Sequence, residues 1–353
     1  MDDGQGSSSQ EALTYEKAGV SIADADEAKR LIRLVAQRTK TPRVLEGIGP
    51  FSASFYGRFE DMQEPILVAS TDGVGTKVKL ASRFKCYRSV GYDLVAVCAN
   101  DIITTGATPL FFLDYIACHR VDHAMIKELL EGMTDGCLEC GCAIIGGETA
   151  EMRDLYREGE FDLAGFMVGV VDKLHRITGE LIQCGDVIMG LPSSGVHANG
   201  FTLVRKVFEH LKDEQWEDEI RELGKSLKQE LLTPTTIYVN QVNSLFTQEI
   251  EIKGIAHISG GGIRANLKRI LPAGLDARVY RKDIPTQPIF NLIQKFGNIA
   301  DEEMWKVFNM GIGLIIILSP EEEELAKSCA EENDFPIYKI GEIVEGNREV
   351  ILM

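Results

Sequence analysis

Short apolar runs of strand length alternate along this chain with longer stretches of helical periodicity. An apolar run of four to eight residues that ends at glycine or a polar residue is typical of a buried strand, whereas apolar residues at i, i+3, i+4 and i+7 indicate a helix. Alternation of this kind predicts an α/β fold, here with mixed α+β layers. The predicted strands are Pro65–Ser70, Leu110–Ala117, Ala143–Ile145 (ended by Gly146 and Gly147), Leu163–Val171 and Leu314–Leu318, and helices are predicted between Val90 and Thr105 and from the N-cap Asp122.

The 353-residue length suggests two domains. A polar segment between Val171 and Gly185 separates two series of elements, so we expect a boundary near residue 173. The predicted units are a mobile N-terminal tail (residues 1–12), an N-terminal domain (13–172) and a C-terminal domain (173–353) with a mixed sheet flanked by helices. A charged helical stretch is predicted from about Arg205 to Glu230.

The charge balance and the apolar pattern exclude several classes of partner. The net charge is −17, which would repel a polyanion, so no nucleic-acid partner is expected. No apolar stretch approaches the ~20 residues of a membrane span and the first residues do not read as a signal peptide, so we expect a cytoplasmic protein without a membrane partner. An acidic protein that handles phosphate needs backbone N–H groups, a few cations and a divalent metal.

The eight cysteines are typical of a reducing compartment, because several lie within apolar runs. Cys137, Cys140 and Cys142 leave two interpretations open. They either complete the inner face of a helix and begin the next strand, or bind zinc with Cys118, His119 or His123 as a fourth ligand.

The segment TDGVGTK follows a predicted strand and is a candidate phosphate loop. Gly73 and Gly75 would let the backbone N–H groups around Thr76 approach a phosphate, Lys77 would supply charge, and Asp72 would hold magnesium. The spacing is not that of a Walker A motif, and an ordinary tight turn is the alternative.

Two further segments carry carboxylates. Asp93, Asn100 and Asp101 fall on roughly one face of a predicted helix, where either metal binding or a structural salt bridge would account for them. Glu148 follows the glycine turn of GGETAEM. Together Asp72, Asp101 and Glu148 offer three oxygen ligands to Mg²⁺, which suits a nucleotide triphosphate.

The second half contains two loops with chemistry-bearing residues. His197 lies among Ser193, Ser194 and Asn199, a density of donors suited to an oxyanion or to proton transfer, although a lone loop histidine is usually a surface residue. The run Gly260, Gly261 and Gly262 precedes a predicted helix and is a candidate phosphomonoester site, the alternative being a linker.

Taken together, these segments resemble the phosphoribosylformylglycinamidine cyclo-ligases, also called aminoimidazole ribonucleotide synthetases. The resemblance extends nearly from end to end and keeps the family's order of motifs. It is carried by YEKAGVSI, TDGVGTK, CANDI, PLFFLDYIA, GGETAEM, AGFMVGVV, SSGVHANGFTLVRK, LLTPTTIYV, HISGGG and FNMGIG.

The resemblance implies a homodimer in which the N-terminal sheet of each chain pairs with that of the other, and ATP in a cleft between the two domains. It implies ring closure of formylglycinamidine ribonucleotide to aminoimidazole ribonucleotide, with ATP as co-substrate and Mg²⁺ as cofactor. The implied roles are catalysis by His197, Asp101 and Lys77; ATP binding by Asp72, Gly73, Gly75, Thr76, Lys77 and Asn100; metal binding by Asp72, Asp101 and Glu148; and substrate binding by Ser193, Ser194, Asn199, Gly260, Gly261 and Gly262.

Rival interpretations share the ATP cleft. Selenophosphate synthetase would have a reactive cysteine or selenocysteine near the N-terminus, whereas the first cysteine here is Cys86. Relatives of hydrogenase-maturation proteins and thiamine-phosphate kinases are disfavoured by the second half, which follows the cyclo-ligase pattern through Phe308–Gly313. A silent nucleotide-binding scaffold would lack the carboxylates found here.

Overall fold

The structure is a computed structural model that describes Arg30 and residues 32–353. The predicted tail, residues 1–12, and the first part of the predicted N-terminal domain, residues 13–29, lie outside the described residues. Within the described part of the chain, no helix combines the length and apolarity that crossing a membrane requires.

The first half forms a four-stranded sheet. Its strands β2 and β3 are parallel and its other neighbours are antiparallel. The strands are β1 Pro65–Gly73, β2 Thr108–Cys118, β3 Ala143–Glu151 and β4 Phe161–Asp172, in the order β1-β4-β2-β3.

Strand β3 is longer than the sequence predicted. Gly146 and Gly147 were expected to end it, but they pair with Leu113 and Asp114 and the strand continues to Glu151. The Asp114 side chain occupies the space beside Gly147, where a Cβ would lie 2.3 Å from the carboxylate oxygen. The glycines therefore allow close packing between strands rather than a turn.

Three helices cover one face of this sheet: α1 Lys77–Phe84, α2 Arg88–Ile103 and α3 His123–Glu139. The side chain of Asp122 accepts hydrogen bonds from the N–H groups of Ala124 and Met125, as expected of an N-cap. Helix α2 lies between the sheet and α3, so most of its side chains are buried. A Cβ on Gly132 would lie 1.9 Å from the Arg88 carbonyl oxygen, so this glycine lets α2 and α3 approach closely.

The other face of the first sheet is apolar, and the described residues leave most of it open. Leu67 on β1 and Phe166 on β4 are 66% and 45% exposed, and Leu113 and Tyr115 on β2 are half-buried. Near β3 this face is covered by the segment that contains Val44 and Phe55. The face therefore carries more exposed apolar surface than a solvated sheet needs.

The zinc interpretation of the cysteines is wrong for the described part of the chain. Cys137, Cys140 and Cys142 are free and buried, and the Cys140 thiol donates to the Cys142 sulfur at 3.4 Å. Burial raises the pKa of the Cys137 thiol, which disfavours the thiolate that zinc requires. Among the described residues, no group of three or more His, Cys, Asp or Glu side chains is placed to hold a metal ion.

The second half forms a six-stranded mixed sheet in the order β12-β9-β11-β5-β10-β8, in which only the β9 and β12 pair is parallel. All residues of the strand β10 are buried, in agreement with the predicted strand Leu314–Leu318. The strands are β5 Val187–Pro192, β6 Glu219–Ile220, β7 Lys225–Ser226, β8 Ile252–His257, β9 Leu275–Val279, β10 Ile312–Leu318, β11 Tyr338–Glu345 and β12 Val350–Leu352, and β6 and β7 pair separately. The helices are α4 Phe201–Val207, α5 Asp213–Glu217, α6 Leu227–Leu231, α7 Val239–Thr247, α8 Gly262–Leu267, α9 Pro288–Gly297, α10 Asp301–Val307 and α11 Glu323–Glu332.

The expected charged helical stretch from Arg205 to Glu230 is interrupted. Helices α4, α5 and α6 are short, and the hairpin β6–β7 lies between α5 and α6. Gly224 has φ +65°, a left-handed conformation that breaks the helical backbone, and buried Trp216 anchors the segment. We propose that the domain boundary lies near residue 173, in the connection between Asp172 and Val187.

Candidate active site

Asp72, Asp101 and His257 lie close together where the two domains face each other. Asp101 on α2 lies 2.8 Å (Oδ1) from Nδ1 of His257, the last residue of β8, and its Oδ2 accepts a 3.2 Å hydrogen bond from Ser70 on β1. Asp101 and His257 line a cavity of about 300 Å³ together with Asn266. The contact therefore joins the first domain to the second at an accessible cleft.

The two aspartates have opposite pKa shifts. Burial raises the pKa of Asp72, the N–H of Gly73 lowers it in part, and the charge of Asp101 raises it further. Burial would also raise the pKa of Asp101, but the hydrogen bond and charge of His257, with the Ser70 hydrogen bond and the charge of Arg269, together hold the pKa below its ordinary value. Mutual repulsion of two carboxylates in one cleft is the situation that a divalent cation relieves. Mg²⁺ commonly takes one or two protein carboxylates plus phosphate oxygens, so Asp72 and Asp101 fit that ion.

Glu148 does not join this pair within the chain. Across the sheet, Asp72 is in register with Gly165, then Asp114, then Gly147, which is three strand spacings, or about 14 Å at about 4.8 Å each. Glu148 is in register with Tyr115, so it lies on the open face, whereas Asp72 lies on the helix-covered face. It borders a cavity of about 440 Å³ that segment 47–53 also lines.

The loop Gly73–Thr76 lies at the domain border. Gly75 has φ +54° and is exposed, and a Cβ there would lie 3.9 Å from the carbonyl oxygen of Ala198 in the second domain. The Thr76 hydroxyl lies 3.0 Å from that of Thr202. The loop is thus placed beside the His197 loop, where its backbone N–H groups are near the cleft.

Lys77 is oriented differently from the rest of this loop. Its side chain is fully buried, with Nζ 2.7 Å from Asp93 Oδ2, and it donates to the carbonyl oxygens of His197 at 3.0 Å and Thr233 at 2.8 Å. Of the two interpretations of Asp93, the structural salt bridge is therefore the one present. The predicted contact of Lys77 with phosphate stays a prediction.

Asn100 is also fully buried. Its amide donates to the carbonyl oxygen of Thr236 at 2.8 Å, and its carbonyl accepts from the N–H of Tyr238 at 3.0 Å. Both groups of the amide are thus engaged with one loop of the second domain, and a role in ATP binding stays a prediction.

His197 is not a surface residue; it is 3% exposed and has φ +63°. Its Nε2 accepts from the N–H groups of Ser194 at 3.1 Å and Thr236 at 3.5 Å, which places the ring hydrogen on Nδ1. Burial, then the charges of His257 and Lys77, lower the pKa of His197 well below its ordinary value. The imidazole is therefore neutral, and no hydrogen-bond partner for its buried Nδ1 is found in residues 32–353. Such an orphan donor is suited to a substrate oxygen.

The serines beside His197 mainly hold the loop in place. Ser193 donates to Oδ1 of buried Asn309 at 3.1 Å, and Ser194 donates to the carbonyl oxygen of Pro234 at 2.5 Å. Asn309 also donates to the carbonyl of Gly195 at 2.9 Å. The Ser194 N–H and the carbonyls of Gly195 and His197 are also engaged, so the backbone of the loop is fixed as firmly as its serine side chains.

The triple glycine forms a tight turn before α8. Gly261 and Gly262 have φ +90° and +62°, and the amide of buried Asn266 donates to the carbonyls of Gly260 at 3.2 Å and Gly262 at 2.8 Å. A Cβ on Gly260 would lie 3.4 Å from Oδ1 of Asn199, so the triple glycine and the His197 loop meet. Four of the five predicted segments thus converge at the domain border.

Sequence reasoning missed His257 and Asn266 and gave Asn309 no role. A polar residue that ends an apolar strand just before glycines, as His257 does, is a readable signal. Asn266 and Asn309 carry no such local signal, because their partners are backbone groups fixed by the tertiary fold.

The comparisons with known proteins agree with this architecture. Residues 59–171 match the model for the AIR synthase related protein, N-terminal domain, and residues 183–353 match that for the AIR synthase related protein, C-terminal domain. A protein of Carboxydothermus hydrogenoformans named phosphoribosylformylglycinamidine cyclo-ligase is 47% identical over 97% of this chain and 99% of its own length. One of the same name from Geobacillus thermodenitrificans is 48% identical over 94% and 96%.

Solved structures show the same fold at low sequence identity. Thiamine-monophosphate kinase from Stenotrophomonas maltophilia has a TM-score of 0.70 at 20% identity, covering 91% of this chain and 95% of that one. The hydrogenase maturation protein HypE in complex with ATP has a TM-score of 0.63 at 17% identity, covering 92% and 90%.

Proposed function

The chain belongs to the AIR synthase related family and, within it, to the phosphoribosylformylglycinamidine cyclo-ligases; from this premise we propose that it closes the imidazole ring of formylglycinamidine ribonucleotide. The products would be aminoimidazole ribonucleotide, ADP and phosphate, as a step of purine biosynthesis. The observation that carries the proposal is the convergence of the Asp72–Thr76, Asp101, His197 and triple-glycine segments in one cleft between the domains.

The chemistry explains why ATP is needed. An amide oxygen is a poor leaving group, so transfer of the γ-phosphoryl group of ATP to that oxygen gives an iminophosphate and ADP. An amidine nitrogen of the substrate then attacks the activated carbon and loses a proton, the C–O bond to the phosphorylated oxygen breaks, and phosphate leaves. Holding both ends of one molecule in the closed geometry makes this attack effectively unimolecular, which accelerates it strongly.

The residues would divide this work as follows. Asp72 and Asp101 would hold Mg²⁺ with ATP, and the backbone of Gly73–Thr76 would contact phosphate oxygens. When bound, Mg²⁺ neutralises charge on the triphosphate. The Nδ1–H of His197 would donate to the oxygen that carries the transferred group, and the triple glycine, whose neighbour is Asn199, would bind the ribose phosphate.

We also propose a homodimer formed through the open face of the first sheet. The exposed Leu67 and Phe166 support it, because burying large side chains of this kind on a second copy removes apolar surface from water. Glu148 lies on the same open face, so it would reach a metal site only if that site were completed by the other copy.

The test measures ADP and imidazole product with formylglycinamidine ribonucleotide, ATP and Mg²⁺, omitting each component in turn. We expect one imidazole per ADP and no product when any component is missing. In the Asp101→Asn variant, the Mg²⁺ concentration for half-maximal rate should rise about tenfold or more, because a metal ligand loses its charge. Asp218→Asn, at an exposed aspartate between α5 and β6 of the second domain, is the control and should behave as the wild type. ADP formation without ring closure would contradict the substrate assignment and favour a kinase.

A further inference from the structure

Three polar side chains of the first domain are fully buried at its border with the second: Lys77, Asp93 and Asn100. We call them the interdomain clamp. Burying an ammonium and a carboxylate costs several kcal/mol per ion unless both are well paired. In a phosphate-binding loop a lysine normally faces solvent and ligand, so its burial here calls for another role.

The clamp binds two loops of the second domain through their backbones. Lys77 donates to the carbonyls of His197 and Thr233. Asp93 Oδ1 accepts from both the N–H and the hydroxyl of Thr235 at 2.7 Å. All of these contacts cross between domains, and each requires the second domain to be seated on the first.

Those contacts surround His197. Lys77 holds its main-chain carbonyl, at a residue whose left-handed φ of +63° is unfavourable without support. The ring accepts from the N–H of Thr236, and Asn100 holds the carbonyl of that same residue. The main chain and the ring of His197 are therefore both fixed by residues that the clamp contacts.

We propose that the clamp positions His197 for the reaction, and that Lys77 acts through this contact and not on phosphate. In this assignment Lys77 and Asp93 are positioning residues: they set the tautomer and direction of the imidazole and touch neither ATP nor substrate. The catalytic part of the inference rests on the proposed function, whereas the burial of Lys77 and the tautomer of His197 can be measured without any turnover.

The first test uses the wild-type protein and an amine-acylating reagent, with peptide mass spectrometry. Lys79 lies on the same helix with its side chain 40% exposed, so it is the internal control. We expect Lys79 to be labelled and Lys77 to stay unlabelled, with and without Mg-ATP, under native conditions. Labelling of Lys77 that Mg-ATP prevents would overturn the inference, because it would place the ammonium in the phosphate site.

The second test is the Lys77→Met/Asp93→Asn double variant, which removes both charges and keeps an oxygen for Thr235. We expect kcat to fall about tenfold or more, because misplacing a reacting group by about 1 Å is enough for such a loss of rate. The KM for ATP should change by less than about threefold, because neither residue contacts ATP in this assignment. The control is Lys253→Met/Asp186→Asn, which removes another ion pair, 2.6 Å apart and with a buried aspartate. Neither residue lines the cavity of Asp101 and His257, so kcat should stay within about twofold of the wild type.

Nitrogen NMR of the histidine ring provides a reading that loss of stability alone would not change. In the wild type, His197 should be the neutral tautomer with the hydrogen on Nδ1, and this signal should change in the Lys77→Met/Asp93→Asn variant.

A folded variant with unchanged kcat, or with a raised KM for ATP and unchanged kcat, would overturn the inference. If that variant does not fold, the labelling result and the wild-type tautomer decide. If the wild type fails to close the ring, the proposed function fails, while labelling and NMR still report on the clamp.

Discussion

Gly313 is the position at which a single methyl group should disturb the candidate site most directly. It lies in β10 beside the bulge between Ile312 and Leu314, and a Cβ there would be 2.0 Å from the hydroxyl of Tyr238 and 2.6 Å from Cε1 of His197. Ordinary contact begins at 3.4 Å, so in Gly313→Ala the hydroxyl must move by about 1.4 Å and the imidazole by about 0.8 Å.

The expected cost follows from these displacements. Overpacking a core costs about 1–3 kcal/mol. The Tyr238 hydroxyl donates to the carbonyl of Pro192 at 2.8 Å, and leaving that buried group unpaired adds about 1–3 kcal/mol. We expect a loss of about 2–6 kcal/mol in the free energy of unfolding, a Tm lowered by about 5–15 °C, and a kcat lowered about tenfold to a hundredfold because His197 shifts.

Thermal unfolding and steady-state rates test this, with two further variants. Tyr238→Phe removes the clashing hydroxyl, so adding it to Gly313→Ala should recover part of the Tm, a coupling that a double-mutant cycle measures. Gly190→Ala is the matched control, because the atoms nearest its Cβ would be the side-chain ends of Ile312 and Ile340, whose Cδ1 atoms lie at 2.8 and 3.0 Å and can rotate away. The reasoning is refuted if Gly313→Ala keeps both the Tm and the kcat of the wild type.

Three further predictions concern charge and assembly. Burial lowers the pKa of His197 well below 6.5, so the unfolded chain takes up a proton at a higher pH than the folded chain does. The free energy of unfolding should therefore fall as the pH drops below 6.5, by at most about 1.4 kcal/mol per pH unit from this residue. His197→Gln should flatten that slope in denaturant titrations. Burial raises the pKa of Asp114 to about 7, so the folded chain binds a proton there that the unfolded chain has lost, and the free energy of unfolding falls as the pH rises from about 4 to 7. At pH 8, Asp114→Asn should be more stable than the wild type by up to about 4 kcal/mol. A variant that is no more stable at this pH would contradict the prediction. Phe166→Asp should convert a dimer to a monomer in analytical ultracentrifugation, whereas Leu325→Asp, at a leucine of similar exposure (44%) on α11, should not.

Local sequence patterns predicted those strands and helices that neighbouring residues in the chain determine. The strand β10 could be predicted because every one of its residues is buried and apolar, and α3 because Asp122 caps it and its apolar residues repeat at helical spacing. The continuation of β3 through Gly146 and Gly147 could not, because the same two glycines also suit a turn. What decides is Asp114 on the neighbouring strand, which needs the space that a side chain at Gly147 would fill.

The candidate site shows the same division. The motifs indicated which residues carry chemistry, but not which of them meet. Two strands, β4 and β2, lie between β1 and β3, and this order separates Glu148 from Asp72 in a way that no local pattern shows. In the sequence, a lysine after a glycine loop looks the same whether it faces a phosphate or a buried aspartate. Only the packing of α1 on α2 shows that Lys77 meets Asp93.

The burial of Lys77 bears on how an acidic protein would hold a triphosphate. With its charge balanced by Asp93 and its remaining donors on backbone carbonyls, Lys77 adds little positive potential to the cleft. The nearest acidic groups there, Asp72 and Asp101, would repel free ATP. Arg269 lines the cavity of Asp101 and adds one positive charge there, and the main attraction would come from Mg²⁺ between the two carboxylates and the triphosphate, with backbone N–H groups of the glycine loops. ATP should therefore bind far more weakly without Mg²⁺ than with it, and calorimetric titration with and without a chelator would show the difference. Equal affinity in both conditions would mean that a cation of the chain itself faces the phosphates.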